Sequence, residues 1–241
     1  MGGERATDES SLRLVCFPHA GGSASFFHPM ASRLPAAIQP LAVQYPGRQN
    51  RRLERPLDNI DELADQAFAA LRSLADRPLA FFGHSMGAIL AFEVARRLEQ
   101  DSATTLVRLF ASGRRAPSAV REETVHLRDD AGLIGEIEKL SGTDSRLLDD
   151  PDVLAMVLPA LRADYRAIET YHYRPGPPLS CPISALTGDV DPRVTIDEVQ
   201  AWSEHTNAEF ELTTFPGGHF FLSGQQDAVV ATIADSLSAT V

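Results

Sequence analysis

The sequence predicts an α/β protein: a mostly parallel central sheet with helices on both faces, interrupted by one helical insertion. Three observations carry that expectation. Short apolar or β-rich runs alternate with stretches whose apolar residues recur at three-to-four spacing, the pattern of strand–helix units joined by right-handed crossovers. Most of these runs are apolar on both faces, as a sheet covered on both sides requires. Between about residues 116 and 173 no strand-like run occurs, so the alternation stops there.

In chain order, strands are expected over Arg13–Pro18, Pro40–Tyr45, Pro78–Gly83, Leu106–Ser112, Ile183–Gly188 and Phe210–Phe215. Leu57–Leu74 places Leu57, Ile60, Leu63, Ala64, Ala67, Phe68, Leu71 and Leu74 on one helical face. A second helix is expected from Met86 to Glu99, and a last one from Gln225 to Leu237 carrying Val229, Val230 and Ile233. Within the insertion, GLIGEIEKLSG and DDPDVLAMVLPALRADYRAIETYHY read as helices. Asp149 or Asp150 would cap the second, with Pro151 in its first turn, and Pro159 should kink or break it. An insertion this long between two strands points to a lid over a site; the plainer reading is extra helices that enlarge the core. The expected organisation is a disordered polar segment over 1–10 and a single domain over 11–241.

Composition narrows the function classes. The chain has 241 residues, 44% hydrophobic and 23% charged, enough for a sizeable core. A formal net charge of −11 argues against nucleic-acid binding, which needs a basic face to displace counterions. The two cysteines, Cys16 and Cys181, form no CxxC or Cys/His metal spacing, so reduced filler is expected and neither metal nor cofactor. No stretch approaches a membrane span and the first residues hold no apolar signal core, so a cytoplasmic location is expected.

The stretch FFGHSMGAIL places Ser85 between Gly83 and Gly87 where an apolar strand becomes a helix. That is the nucleophile-elbow pattern G-x-S-x-G of α/β-hydrolases: the serine is held in a strained turn, and its neighbours two residues away must be small. A nucleophilic serine needs a base and the base an orienting carboxylate, in the chain order Ser, acid, His. Of the later histidines, His126 and His172 fall in or beside the insertion and His205 on a polar segment. His219 follows the last strand in FPGGHFF, where two glycines free a loop to aim its ring. The acid is Asp191 or Asp189, both in GDVDPRV beyond a strand's C-terminal end. Asp191 is preferred, because Asp189 directly follows Gly188 and can cap the turn. For the oxyanion, Met86 offers the backbone N–H after the nucleophile, and CFPHAGGSASFF offers a second from Ala20, with Gly21 as alternative.

Taken together, PHAGGSASFF, QYPGRQNR, FGHSMGAILAFEVARRL, TGDVDPRV and FPGGHFFL resemble the type II thioesterases of polyketide and nonribosomal peptide synthesis, a group that includes the animal fatty-acid medium-chain thioesterases. The resemblance runs from about residue 13 to 222. It implies hydrolysis of acyl groups from the phosphopantetheine arm of an acyl or peptidyl carrier protein, usually to clear stalled or wrong chains, by a protein acting as a monomer. It puts nucleophile, acid and base on Ser85, Asp191 and His219, the oxyanion donors on Ala20 and Met86, and the lid on the insertion. Two rival readings keep the fold: a general carboxylesterase or lipase, and a non-catalytic binding protein, which would ordinarily lack a triad member. An acidic enzyme meeting an acidic carrier needs a local basic patch. Arg48, Arg51, Arg52 and Arg55, with Arg114 and Arg115, are the candidates, Arg51 and Arg52 foremost.

Overall fold

The computed structural model describes residues 12–101, 106–140 and 150–238; the expected disorder over 1–10 and the candidate cap Asp149 lie outside them. Six strands form one parallel sheet: β1 (Leu12–Phe17), β2 (Ile38–Ala42), β3 (Leu79–His84), β4 (Leu106–Ser112), β5 (Ile183–Gly188) and β6 (Phe210–Phe215). Their spatial order is β2-β1-β3-β4-β5-β6. Strand order reverses between β1 and β3, and such a switch point opens a crevice at the strands' C-terminal ends.

The expected two-sided burial has a simple cause. Along β1, Val15 and Phe17 enter one core while Leu12, Leu14 and Cys16 enter another; along β3, Leu79 and Phe81 take the first face and Ala80 and Phe82 the second. The first face is covered by α2 (Ile60–Leu71) and α3 (Met86–Gln100), the second by α1 (His28–Ala31) and α8 (Gln226–Ser238). Both cysteines are buried and free, and burial pushes the Cys181 thiol up to about 12.

Two expectations are corrected, and a third is narrowed. The second strand begins and ends earlier than Pro40–Tyr45: its pairing with β1 stops at Cys16 opposite Ala42, and Tyr45 instead turns inward to donate its hydroxyl to the Pro18 carbonyl at 2.9 Å. Pro40 is tolerated because β2 is an edge strand, where a missing N–H costs no ladder bond. The helix expected from Leu57 starts at Ile60, where Asn59 accepts hydrogen bonds from the Asp61 and Glu62 amides, and it tightens into a 3₁₀ turn over Arg72–Leu74.

Pro159, expected to kink or break its helix, does not break it. Among the described residues, the insertion holds a 3₁₀ turn (Val125–Leu127), α4 (Asp130–Lys139) and α5 (Pro151–Glu169), and α5 runs through Pro159. The carbonyl that Pro159 leaves without an N–H belongs to Ala155, and both residues are exposed, so the freed carbonyl is not left in a dry interior. Asp150 caps α5, accepting from the Asp152 and Val153 amides. The insertion has its own small apolar cluster, Val125, Leu133, Leu161 and Tyr165, against which Ala20 packs. Two short helices, α6 (Ile196–Gln200) and α7 (Phe221–Gly224), complete the fold.

Candidate active site

Ser85 sits between β3 and α3 with φ +56° and ψ −118°, a conformation that L-residues rarely adopt. The flanking glycines have a steric cause. A Cβ on Gly83 would stand 2.2 Å from the Gly87 carbonyl oxygen, and one on Gly87 would stand 2.0 Å from that of Phe17. The turn exists only because neither residue has a side chain. Gly87→Ala is therefore expected to destabilise the protein at the upper end of the roughly 1–3 kcal/mol typical of overpacking. An unchanged denaturant midpoint would remove this account of the turn.

The Ser85 hydroxyl donates to His219 Nε2 at 3.0 Å. On the ring's far side, His219 Nδ1–H donates to Asp191 Oδ2 at 2.9 Å, with Oδ1 at 3.1 Å. Because a carboxylate only accepts, Asp191 fixes the proton on Nδ1 and leaves Nε2 free to take one from Ser85. The Asp191 side chain is fully buried and is further held by the Arg193 amide at 2.8 Å. Asp189 does something else: its Oδ1 accepts from the Gly217 amide at 2.9 Å, fastening the loop that carries His219. That loop passes so close to the end of β5 that a Cβ on Gly188 would stand 2.2 Å from the Gly217 oxygen.

Other histidines have part of this arrangement. His126 meets Glu169 at 2.6 Å, but that carboxylate caps the Val125 and His126 amides, and no hydroxyl completes the chain among the described residues. His205 meets the Ser118 hydroxyl at 2.9 Å without a carboxylate on its ring. His172 is exposed. Two more histidines, which the sequence did not single out, surround the triad. His84 places Nδ1 3.0 Å from the Ser112 hydroxyl, and His19 packs edge-on against Phe26 and Phe220. Burial and the neighbouring His219 hold His84 well below the usual histidine range; burial, then His219 and Arg48, push His19 down to about 3. Both stay neutral, so neither adds a competing charge beside His219.

The chain after β1 turns tightly at Pro18–Gly22, with Gly21 at φ +77°. The Gly21 amide, the alternative oxyanion donor, is already committed to Asp164 Oδ2 at 2.7 Å. The Ala20 and Met86 amides have no acceptor among the described residues. A cavity of about 420 Å³ opens beside His219, bounded by Lys139 and Leu140 of the insertion and by Val190 and Phe220. Among the described residues, no group of three or more His, Cys, Asp or Glu side chains could hold a metal ion.

The arginines do not form the patch their sequence spacing predicts. Arg48 makes a two-pronged pair with Asp164 at 2.6 and 2.8 Å, and only 9% of its side chain is exposed. Arg114 and Arg115 are buried against Glu123, and burial with the adjacent Arg115 pushes Arg114 down to about 9. None of the three is free to form a surface patch, because each is buried against a carboxylate: Arg48 against Asp164, Arg114 and Arg115 against Glu123. Arg51 is half-committed, gripping Glu54 and the Gln44 carbonyl. Arg52 and Arg55 are exposed, and neither makes a side-chain ion pair among the described residues.

Comparison with known proteins identifies the family. A family model described as "Thioesterase domain" matches residues 12–237. A probable cadicidin biosynthesis thioesterase of Streptomyces griseus is 50% identical over 95% of this chain, which spans 63% of that protein's length. Thioesterase PikA5 of Streptomyces venezuelae is 48% identical over 96% of this chain and 83% of its own. The solved structure of BorB, a type II thioesterase from the borrelidin biosynthetic cluster, superposes with a TM-score of 0.87 at 51% identity, covering 97% of this chain and 94% of that one.

Proposed function

The chain belongs to the thioesterase domain family, and we propose that it releases acyl groups from the phosphopantetheine arm of carrier proteins in polyketide or nonribosomal peptide synthesis. Thioester hydrolysis on an α/β-hydrolase fold is the activity of the family; the carrier-bound substrate, the roles of individual residues and the lid are our reading. The observation that carries it is the unbroken relay from the Ser85 hydroxyl through His219 to the buried Asp191.

In this reading, His219 Nε2 takes the Ser85 proton as the oxygen attacks the thioester carbonyl, and Asp191 stabilises the imidazolium that forms. The carbonyl π electrons move onto oxygen, where the Ala20 and Met86 amides meet the developing charge at the N-terminus of α3. The tetrahedral centre collapses, the C–S bond breaks, and the pantetheine sulfur leaves with the proton from His219. Water then attacks the acyl-serine with His219 again as base, and Ser85 recovers its proton as the acid departs. The helical insertion would serve as the lid, with the substrate arm entering beside Val190 and Phe220. The protein would act as a monomer in the cytoplasm.

Between Arg51 and Arg52, Arg52 is the freer to meet an acidic carrier, since Arg51 is shared with Glu54. The test is acyl release from a loaded carrier protein, a small thioester and a matched oxygen ester. The carrier thioester should be the preferred substrate. Arg52→Glu should raise KM for the carrier substrate by about an order of magnitude, corresponding to roughly 1.4 kcal/mol, and leave the small thioester unaffected. Preference for the oxygen ester would move the protein to the esterases, and an unmoved KM would discard Arg52 as a docking residue.

A further inference from the structure

We propose that Arg48 and Asp164 are positioning residues for the oxyanion turn, and that through them the helical insertion holds the Ala20 amide in its working orientation. The inference rests on the thioesterase reading above and adds to it a coupling between α5 and the oxyanion donor.

The turn after β1 is pinned at several polar groups. Tyr45 donates to the Pro18 carbonyl at 2.9 Å, Gly22 N–H donates to the His19 carbonyl at 2.9 Å, and Ala24 N–H donates to the Gln44 side chain at 3.1 Å. Gly21 N–H donates to Asp164 Oδ2 at 2.7 Å, and Arg48 Nη1 donates to the Gly22 carbonyl at 3.0 Å. The Ala20 amide is left without an acceptor among the described residues. Its direction is then decided by its own peptide unit. In a trans peptide the N–H points opposite to the C=O, and the carbonyl of that unit, His19 O, is turned back onto Gly22. Fixing Gly21 and Gly22 therefore fixes where Ala20 N–H points. The turn stands beside the nucleophile elbow, since the space over Gly87 is closed by the Phe17 and Pro18 carbonyls.

Two of those pins converge on one carboxylate. Asp164 lies on α5, is fully buried, and accepts from both Arg48 prongs and from Gly21. One turn earlier on the same helix, Leu161 covers the hydrogen-bearing face of Gly21, its Cδ1 standing 2.6 Å from where a Cβ would be. Arg48 also lies over the Tyr45 ring at 5.2 Å, joining the Pro18 pin to the same cluster. A buried ion pair is seldom a net source of stability compared with apolar residues of similar volume. Here its geometry fastens two backbone groups of the turn to the insertion, which an apolar pair could not do. Lifting α5 would strip Gly21 and Arg48 of their shared acceptor together, so the oxyanion donor is in place only when the insertion is seated.

The test separates positioning from stability. Asp164→Ala alone would leave a buried guanidinium unpaired and could unfold the chain, so the informative variant is Arg48→Met with Asp164→Leu, an apolar pair of similar volume. It should keep the wild-type unfolding midpoint, lose about 10²-fold in kcat on a small thioester, and keep KM within a few-fold. Affinity for an acyl trifluoromethyl ketone, whose carbonyl becomes an oxyanion when Ser85 adds to it, should fall in parallel. Affinity for the corresponding unreactive alcohol should not move. A folded double variant with unchanged kcat and ketone affinity, or with equal losses for ketone and alcohol, overturns the inference. A second arm uses the wild-type protein: the Gly21 amide should be strongly protected from hydrogen exchange while the Ala20 amide exchanges freely. Equal exchange at the two amides overturns the pinning whatever the variant does. Failure of the wild-type protein to hydrolyse any thioester would strike at the thioesterase reading, and the exchange arm would still decide the clamp.

Discussion

Ser85→Ala should lower kcat/KM for thioester hydrolysis by on the order of 10⁴-fold or more, with the fold and ligand binding intact. The size follows from the chemistry lost. Without the hydroxyl no acyl-enzyme forms, and water must attack the thioester directly with only the oxyanion donors and bound geometry to help. The substitution removes one oxygen from a half-exposed position and leaves the Ser85 amide bonded to the Ser112 carbonyl at 2.8 Å. Alanine must still adopt φ +56° there, so a loss of about 1 kcal/mol or less in stability is compatible with it. Steady-state rates beside an unfolding curve make the measurement. Residual activity within tenfold of wild type would remove Ser85 from the nucleophile's role.

Asp191→Asn should cost about 10⁴-fold in kcat, whereas Asp189→Asn should cost only a few-fold. The two residues are neighbours on one loop, so the contrast isolates position from composition. Asparagine at 191 can present its amide NH₂ to Nδ1, which would then have to accept, forcing the ring proton onto Nε2 where Ser85 needs a vacant acceptor. At 189 the amide oxygen of asparagine still accepts from Gly217 N–H, so the loop carrying His219 keeps its fastening. Similar losses at both positions would mean that the carboxylates act as a unit and that Asp191 is not the orienting acid by itself.

Legibility in the sequence followed the range of each signal. The strands β4, β5 and β6 agree with their expected bounds because hydrophobic runs and turn residues are local patterns. The second strand was misread at both ends, since where an edge strand leaves the sheet depends on its partner, β1, and not on its own composition. Whether Pro159 would break its helix was open for a related reason. Its penalty depends on whether the freed carbonyl is dry, and sequence does not state exposure.

What the sequence by itself determined is the layout: the alternation that makes a parallel sheet, the paired glycines that allow a serine between them, and the order serine, acid, histidine, with the acid at Asp191 or Asp189. Each of these is written in residue types at short spacing, because backbone strain and strand–helix periodicity are short-range effects. What only the tertiary structure decided is how the charges pair. Arg48 belongs to a basic-looking run, yet its partner lies 116 residues away on α5, and Arg114 and Arg115 are buried against Glu123. Asp164 had no signal at all; it is one of three acidic residues on an amphipathic helix. Burial turns it into the shared acceptor of Arg48 and Gly21, since in a low-dielectric interior a charge must be met by whatever partners the fold brings to it.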